Sequence, residues 1–226
     1  MKHQRDNSTV YNMDNMEFMR GVEDKYFDLA IVDPPYGIGI DGQKESISTN
    51  RFHHDFKGWD TAIPDKEYFI ELFRVSENQI IWGGNYMVEN LKNSRCWLIW
   101  DKIQEFSGAD FEMAWTSFNK SAKAFRMSRV EAYTNQKKIH PTQKPVALYE
   151  WIYKNYLPNG GKVIDTHLGS GSNRISAFKR GNIIFDACEL DVDYFNDGND
   201  RYDEFLMKYQ PAELNPITKQ GQTKLF

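Results

Sequence analysis

Short apolar segments alternate with amphipathic ones along most of this chain, and this alternation constrains the fold more than any other feature. Strands are expected at the apolar runs 27–32, 79–82, 96–100, 111–118, 162–165 and 183–188. Helices are expected at 64–75, from about Pro145 to Tyr156, at 172–180, and from a cap at Asp193 toward Tyr209. Alternating elements of this length predict an α/β protein with a mostly parallel sheet flanked by helices on both faces.

Three of the predicted strands lead into an acidic residue. These residues are Asp33, Asp165 and Glu189, and each stands close to glycine or proline in the sequence. The carboxyl ends of parallel strands meet at one edge of a sheet, where such sheets bind ligands. One carboxylate there could be only a turn former, but three of them predict a functional site at this edge.

The size and charge of the chain narrow its class. Its 226 residues and formal net charge of −4 fit one domain, expected at 1–210, with a flexible polar tail at 211–226. A long polar segment at 39–63 is expected to be a mobile lid over the site. Residues 1–10 do not resemble a secretory signal, and no apolar run approaches the roughly 20 residues that span a bilayer. Histidine and cysteine do not occur at zinc-ligand spacing, so a reduced, cytoplasmic, metal-free protein with free thiols at Cys96 and Cys188 is expected.

The tetrapeptide Asp33-Pro34-Pro35-Tyr36 follows the first of these apolar runs. Methyl transfer to an aromatic amino group requires acceptors for both amino hydrogens, because the nitrogen lone pair is otherwise delocalised into the ring. The Asp33 carboxylate and the Pro34 carbonyl can supply them, since the fixed φ of proline holds a carbonyl direction. Asp33 can also stabilise the positive charge that develops on nitrogen, and Tyr36 can stack on a base, which contributes about 1–3 kcal/mol. A proline-rich turn is the alternative interpretation.

A strand end, a glycine-containing loop and a helix start are predicted across 165–172. The sequence there is Asp165-Thr166-His167-Leu168-Gly169-Ser170-Gly171-Ser172. It lacks the lysine-containing end of a P-loop and a complete G-x-G-x-x-G, so its ligand need not carry a phosphate. A cationic sulfonium amino acid fits the acidic strand end, and Glu189 at the end of the next strand can chelate a ribose diol. An ordinary tight strand-to-helix turn is the alternative.

A third segment, His140-Pro141-Thr142-Gln143-Lys144-Pro145, precedes the helix that leads into the Asp165 strand. Lys144 lies next to the start of that helix and could pair with a cofactor carboxylate. A solvated lysine in a proline-delimited loop is the alternative. The order of the three segments along the chain favours the functional interpretation.

In this order the segments resemble the amino-methyltransferases that modify N6 of adenine or N4 of cytosine in DNA, in the circularly permuted order of the β group. The tetrapeptide comes first, a target-recognition region at about 100–140 follows, and the cofactor half comes last. The resemblance covers roughly residues 9–205 and includes the segments 11–14, 82–86 and 100–102. It implies a Rossmann-like methyltransferase sheet and S-adenosylmethionine as cofactor. An aspartate at position 33 resembles the adenine N6 enzymes, because cytosine N4 enzymes usually have serine there.

The resemblance also indicates which residues contact the cofactor. The expected contacts are Asp14, Lys144, Asp165, His167, Gly169, Gly171, Ser172, Glu189 and Asp191. The family usually has Asp-Pro-Phe before its glycines, whereas Thr166 and His167 follow Asp165 here. The sequence therefore departs from the family pattern at His167 and keeps the glycine loop.

Positive charge is concentrated in the expected target-recognition region, although the whole chain is acidic. Residues 120–144 contain seven Lys or Arg and one Glu. The expected DNA contacts are Lys120, Lys123, Arg126, Arg129, Lys137 and Lys138, with Arg51 and Lys57 from the lid loop. Phosphate contacts from such residues would make binding salt-dependent, and a solvated basic surface is the alternative.

Two other classes of protein compete with a DNA methyltransferase. RNA and protein methyltransferases with related catalytic tetrapeptides mostly place their cofactor motifs first, so the order found here argues against them. A non-catalytic DNA-binding module is disfavoured because all four residues of the tetrapeptide are present.

Two further partners are predicted besides DNA. The C-terminal residues Gln222-Thr223-Lys224-Leu225-Phe226 resemble the peptide that docks on the bacterial sliding clamp, with Thr223 as a departure. A tail that packs on its own domain or does nothing is the alternative. A homodimer is a further possibility, because dimers are common in the β group.

Overall fold

We describe the protein from a computed structural model, which covers residues 1–41, 57–103, 109–134 and 138–209. Most of the predicted lid loop, at 42–56, and the predicted tail at 211–226 lie outside the described residues. Within those ranges no helix is long and apolar enough to cross a membrane. The same ranges contain no group of three His, Cys, Asp or Glu side chains placed to hold a metal ion.

Nine strands in the described residues form one sheet. They are β1 (Lys2–Arg5), β2 (Ser8–Tyr11), β3 (Phe27–Val32), β4 (Ser76–Trp82), β5 (Trp97–Asp101), β6 (Phe111–Thr116), β7 (Lys123–Arg126), β8 (Gly161–Asp165) and β9 (Ile183–Cys188). The order across the sheet is β1-β2-β9-β8-β3-β4-β6-β5-β7. Five neighbouring pairs are parallel, and the pairs β1–β2, β4–β6 and β5–β6 are antiparallel.

Six helices accompany the sheet in the same residues. They are α1 (Asn15–Arg20), α2 (Lys66–Val75), α3 (Arg129–Tyr133), α4 (Val146–Tyr156), α5 (Ser172–Arg180) and α6 (Val192–Lys208). Gly181 ends α5 with φ of 80°, which confirms the predicted C-terminal stop. The predicted cap of the last helix is wrong by two residues, because Asp191 and not Asp193 accepts the first N–H bonds of α6.

The core lies on both faces of the sheet because β3 is apolar on both sides. Leu29 and Ile31 face the cluster that includes α4, while Ala30 and Val32 face the cluster that includes α2. Helices therefore cover both faces, as the alternation of apolar segments predicts, and the α/β fold class is confirmed. Cys96 and Cys188 are buried free thiols, as expected.

Candidate active site

The centre of the candidate site is Asp33, the first residue after β3. Its Oδ1 accepts a hydrogen bond from the Tyr36 hydroxyl at 2.6 Å, and its Oδ2 accepts one from the Lys144 ammonium. The Asp33 side chain is 18% exposed, whereas that of Lys144 is only 1% exposed. Lys144 also pairs with Glu112 on β6 at 3.1 Å. The catalytic carboxylate predicted from the sequence is therefore held by two donors and is largely buried.

The charges around Asp33 act on one another. Burial raises the pKa of Asp33, and the Lys144 ammonium opposes this change. Burial lowers the pKa of Lys144, but the carboxylates of Asp33 and Glu112 hold it above its ordinary value. Burial raises the pKa of Glu112, but the ammonium groups of Lys144 and Lys102 hold it below its ordinary value. Alternating sign thus stabilises Lys144 and Glu112 as ions, whereas burial outweighs the Lys144 ammonium at Asp33.

The backbone that follows Asp33 is fixed by a second carboxylate. Asp60 is 1% exposed, and its Oδ1 accepts N–H bonds from Tyr36 at 2.7 Å and Gly37 at 2.8 Å. Its Oδ2 accepts from the Ile40 N–H at 2.8 Å. A buried carboxylate with three such bonds holds the loop after the tetrapeptide in one conformation.

The ring of Tyr36 is enclosed by the segment that follows β4. Tyr86 stacks on it with a centroid distance of 5.2 Å and an interplanar angle of 16°. Gly83 has φ of 67°, and a Cβ on it would lie 2.6 Å from the Tyr36 Cζ atom. Only glycine satisfies both the backbone conformation and this close approach.

The predicted glycine loop connects β8 to α5 and is held by carboxylates. Asp165 accepts the His167 N–H at 3.1 Å and the Asn173 side-chain amide at 2.9 Å. Glu189 accepts the Gly169 N–H at 2.9 Å through Oε2 and the Asp191 N–H at 3.0 Å through Oε1. Gly169 has φ of 52°, a left-handed conformation that favours glycine.

Burial changes the ionisation of two groups in this loop. Burial raises the pKa of Asp165 to about 7, although hydrogen bonds from Asn173 and His167 oppose the change. Burial also lowers the pKa of His167 to about 4. The His167 ring lies in hydrogen-bond range of the Asn15 side-chain amide at 3.2 Å and of the Thr166 hydroxyl at 2.9 Å. His167 is therefore neutral at physiological pH and fixed by polar neighbours.

The sheet brings the two halves of the site together. β8 lies between β3 and β9, with Leu29 opposite Val163 and Asp165 opposite Ala187. Asp33, Asp165 and Glu189 therefore follow the carboxyl ends of three adjacent parallel strands, which are spaced about 4.8 Å apart. The strand order therefore brings these three carboxylates to one edge of the sheet, as the sequence predicts.

Several residues expected to contact the cofactor have other partners in the structure. Asp14 caps α1 by accepting the Met16 and Glu17 N–H groups. Asp191 caps α6, and Ser172 is buried with its hydroxyl 3.0 Å from Arg201. Gly171, with φ of 71°, precedes α5, and a Cβ there would lie 3.3 Å from the Gly198 carbonyl oxygen of α6. Helix capping and helix packing account for these four positions without a ligand.

Two lysines expected to bind DNA are engaged within the protein. Lys57 pairs with Asp191 and Asp193, each at 2.7 Å, and lies over the Tyr194 ring. Lys120 donates to the Asn155 carbonyl at the end of α4, which is the end of that helix away from Lys144. Each of these two ammonium groups therefore has partners within the protein, and a DNA contact from Lys57 or Lys120 stays a prediction.

The remaining basic residues divide between the catalytic edge and its surroundings. Arg126 ends β7 at the same edge as Asp33, is 75% exposed, and pairs with Asp101 at 2.9 Å. Arg129 is exposed at the start of α3, while Lys123 is exposed at the other end of β7. The Lys138 ammonium lies 5.9 Å from the centre of the Tyr133 ring. Arg51, Lys137 and the clamp-like peptide 222–226 lie outside the described residues.

Sequence reasoning missed Glu112, Asp60 and Tyr86 as parts of the site. The signal for Glu112 was a charged residue inside an otherwise apolar strand, which requires a buried partner. Asp60 is one of several polar residues in the predicted lid loop, and nothing in the sequence distinguishes it. Tyr86 stands in a segment that resembles the family, but no role was assigned to it.

Comparison with known proteins identifies the family. Residues 85–196 match the family model described as DNA methylase, of the N6 and N4 methylases. Residues 85–196 therefore belong to this family of DNA amino-methyltransferases, which includes enzymes for N6 of adenine and for N4 of cytosine.

Individual relatives agree with this assignment. The type II methyltransferase M2.MboI of Moraxella bovis is 23% identical, over 94% of this chain and 90% of the relative. The crystal structure of the M1.HpyAVI–SAM complex has a TM-score of 0.57 at 17% identity, over 86% of this chain and 98% of that one. The PvuII DNA methyltransferase, described as cytosine-N4-specific, has a TM-score of 0.61 at 12% identity, over 88% and 87% of the two chains. These structures share the fold of the chain.

Proposed function

We propose that this protein transfers a methyl group from S-adenosylmethionine to N6 of adenine in DNA. The observation that carries the proposal is the position of Asp33, one strand away from the glycine loop after β8. Neighbouring strand ends are about 5 Å apart, so an amino group at Asp33 and a donor group at the loop lie within reach of each other.

Asp33 and its neighbours can prepare an amino group for methylation. Each oxygen of the carboxylate accepts one bond within the protein, from Tyr36 or from Lys144. A carboxylate has about four acceptor positions, so one remains on each oxygen for an amino hydrogen. The Pro34 carbonyl is the second acceptor in this proposal. The negative charge of Asp33 also stabilises the cationic nitrogen that forms when the methyl group arrives.

The residues of the glycine loop fit the proposed cofactor. S-adenosylmethionine supplies an electrophilic methyl group on a cationic sulfur. The carboxylates of Asp33 and Glu189 both contribute to raising the pKa of Asp165, so a cation at this edge would relieve their mutual repulsion. Glu189 uses one acceptor position on each oxygen for a backbone N–H and keeps others for the two hydroxyls of a ribose. Gly169 leaves the backbone open to close approach by a ligand.

A product assay tests the reaction and its base. DNA without prior methylation is incubated with the purified protein and S-adenosylmethionine, and its nucleosides are then separated by mass spectrometry. N6-methyladenine is expected, and the Asp33→Ala variant is expected to form none while keeping its affinity for the cofactor. Parallel incubations with RNA and with protein test the competing classes. N4-methylcytosine as the product would overturn the proposed specificity for adenine.

A binding measurement tests the cofactor half separately. Glu189→Gln keeps the size of the side chain but loses the charge and one acceptor, so S-adenosylmethionine should bind at least tenfold more weakly, a change of about 1.4 kcal/mol. Glu150→Gln makes the same change at a glutamate of α4 that pairs with Lys179 near the C-terminal end of α5, and this matched control should bind normally. Equal affinities in calorimetry would contradict the assignment of Glu189.

The DNA contacts are tested by the dependence of binding on salt. Arg126 and Arg129 are exposed near the catalytic edge, and the surface ion pair of Arg126 is worth about 0–1 kcal/mol, which a phosphate can replace. Replacing either residue by Gln should reduce the slope of log K against log salt by about 0.9. Lys154→Gln, at the far end of α4, should leave the slope unchanged. An unchanged slope in both arginine variants would mean that the DNA lies elsewhere.

A further inference from the structure

The catalytic carboxylate ends a row of four alternating charges. Asp33 pairs with Lys144, Lys144 pairs with Glu112 at 3.1 Å, and Glu112 pairs with Lys102 at 2.9 Å. The side chains of Lys144 and Lys102 are 1% and 12% exposed. The proposed reaction uses Asp33 but gives no role to the other three residues. Burying three additional charges is expensive unless the arrangement has a function or is very well paired.

We propose that Lys144 and Glu112 set the charge and orientation of Asp33, with Lys144 as a positioning residue and Glu112 as its counter-ion. This inference rests on the proposed function, because it assumes that Asp33 is the carboxylate that accepts the amino hydrogen. It also replaces the role that the sequence gave to Lys144, which was to pair with a cofactor carboxylate.

The hydrogen-bond inventory of Lys144 supports this role. An ammonium group has three donors, and three oxygens lie around it: Asp33 Oδ2, Glu112 Oε2 and the Tyr36 hydroxyl, the last at 3.3 Å. The ammonium also lies 5.2 Å from the centre of the Trp82 ring, which is fully buried. All its donors therefore have acceptors within the protein.

The same contacts fix the Asp33 carboxylate from both ends. Tyr36 donates to Oδ1 and Lys144 donates to Oδ2, so rotation about the last side-chain bond would break both hydrogen bonds. Side chains of a catalytic site must be held within a few tenths of an ångström of their working position. Hydrogen bonds from charged neighbours hold a buried carboxylate most strongly. A fixed carboxylate presents its remaining acceptor positions in a constant direction.

The charge of Asp33 depends on the balance in this row. Burial favours the neutral acid, Lys144 favours the anion, and Glu112 opposes the anion. The other titratable groups near Asp33 are Tyr36 in the loop after β3, Tyr68 on α2, Tyr133 on α3, Tyr149 on α4 and Asp165 on β8. A protonated Asp33 would present an O–H where the reaction needs an acceptor. Removing Lys144 should therefore favour the protonated, inactive form of Asp33, so that activity is lost at higher pH than in the wild type.

Two variants should shift the ionisation of Asp33 in opposite directions. Lys144→Met removes the cation, so the pKa of Asp33 should rise by about 1–3 units, and the acidic limb of the kcat profile should move to higher pH. Glu112→Gln removes the opposing anion, so the pKa of Asp33 should fall and the acidic limb of the kcat profile should move to lower pH. The pKa is measured by carbon NMR of labelled aspartate, with Asp33→Asn to assign the signal.

Two controls separate this role from a structural one. Lys25→Met makes the same chemical change at a lysine that donates to backbone carbonyls at the opposite edge of the sheet, and it should shift neither the pKa nor the pH profile. Lys144→Arg keeps the charge and should restore a profile close to that of the wild type. If Lys144→Met does not fold, the downward shift in Glu112→Gln carries the test.

The outcomes distinguish this inference from the proposed function. Calorimetry should show that Lys144→Met binds S-adenosylmethionine normally, and a tenfold loss of affinity with an unchanged Asp33 titration would overturn the inference. The NMR titration needs no substrate. Opposite pKa shifts in a protein that methylates no DNA would therefore support the role of Lys144 and Glu112 and refute the proposed function. Methylation of DNA with equal Asp33 pKa values in all variants would support the proposed function and refute the role of Lys144 and Glu112.

Discussion

Replacing Gly83 by alanine tests whether catalysis depends on the position of the Tyr36 ring. Gly83 follows β4 with φ of 67°, and a Cβ on it would lie 2.6 Å from the Tyr36 Cζ atom. The ring must therefore move. Such a movement lengthens the hydrogen bond from Tyr36 to Asp33, now 2.6 Å, and disturbs the stack on Tyr86.

The expected effect on catalysis exceeds the effect on stability. The left-handed backbone costs an alanine about 1–2 kcal/mol. A displaced Tyr36 loses a hydrogen bond to a charged acceptor, worth about 1.5–3 kcal/mol, and an aromatic stack worth about 0.5–1.5 kcal/mol. If the transition state loses about 2–4 kcal/mol of these contacts, kcat falls by roughly 30- to 1000-fold, because each 1.36 kcal/mol is a factor of ten.

Gly181→Ala is the matched control for backbone strain. Gly181 has φ of 80°, and a Cβ on it would have no atom within 4 Å. Thermal unfolding should show a similar backbone penalty in both variants, whereas single-turnover methylation should be slow only in Gly83→Ala. A Gly83→Ala enzyme within about threefold of the Gly181→Ala rate would refute the reasoning, since a tenfold change already corresponds to 1.36 kcal/mol.

Three other substitutions probe the surroundings of the site. His167→Phe should make the stability of the fold less sensitive to acid, because burial lowers the pKa of His167 to about 4. The wild type should therefore lose at most about 3 kcal/mol of stability as pH drops from about 6.5 to 4. Urea unfolding that is equally pH-dependent in both proteins would contradict this. Lys57→Met should lower stability by roughly 1 kcal/mol at low salt, through its lost pair with Asp191. If Lys57 keeps this pair when DNA binds, the salt slope of DNA binding should not change in the variant, whereas a reduced slope would support Lys57 as a DNA contact. Asp60→Asn loses at least one of the three hydrogen bonds from backbone N–H groups, which lowers the stability by about 1–3 kcal/mol. It should also lower kcat by loosening Tyr36, while the cofactor affinity measured by calorimetry stays constant. An unchanged kcat would make Asp60 purely structural.

The parts of the fold that the sequence predicted are those fixed by local pattern. β3 has the predicted bounds, Phe27–Val32, because a strand buried on both faces reads as one apolar run. α5 has the predicted bounds because Gly181 can adopt the left-handed conformation that ends a helix. The meeting of Asp33 with Asp165 also followed from local signals, since Asp33 directly follows β3 and Asp165 is the last residue of β8.

The parts that the sequence did not predict depend on contacts between distant residues. β1 has no apolar alternation and is a strand only because it pairs with β2. Lys57 and Asp191 are 134 residues apart, and the ion pair between them cannot be inferred before the fold is known. The same holds for Lys144, whose partner Glu112 reaches it only because β6 runs antiparallel beside β4. Lys57 and Lys144, which the sequence assigned to DNA and to a cofactor carboxylate, are each paired with a carboxylate distant in the sequence.

The place of β2 in the sheet has a consequence for the order in which the protein assembles. Ser8 pairs with Phe185, so the second strand of the chain cannot be completed until the ninth has been made. At a synthesis rate of roughly 5–20 residues per second, the interval between these two residues is about 10–35 s. During that time β3, β4, β6, β5 and β7 can already join, whereas β9 and the Glu189 carboxylate are still missing. The nascent chain should therefore acquire its base-handling half first and become able to hold the methyl donor only when its last third has emerged.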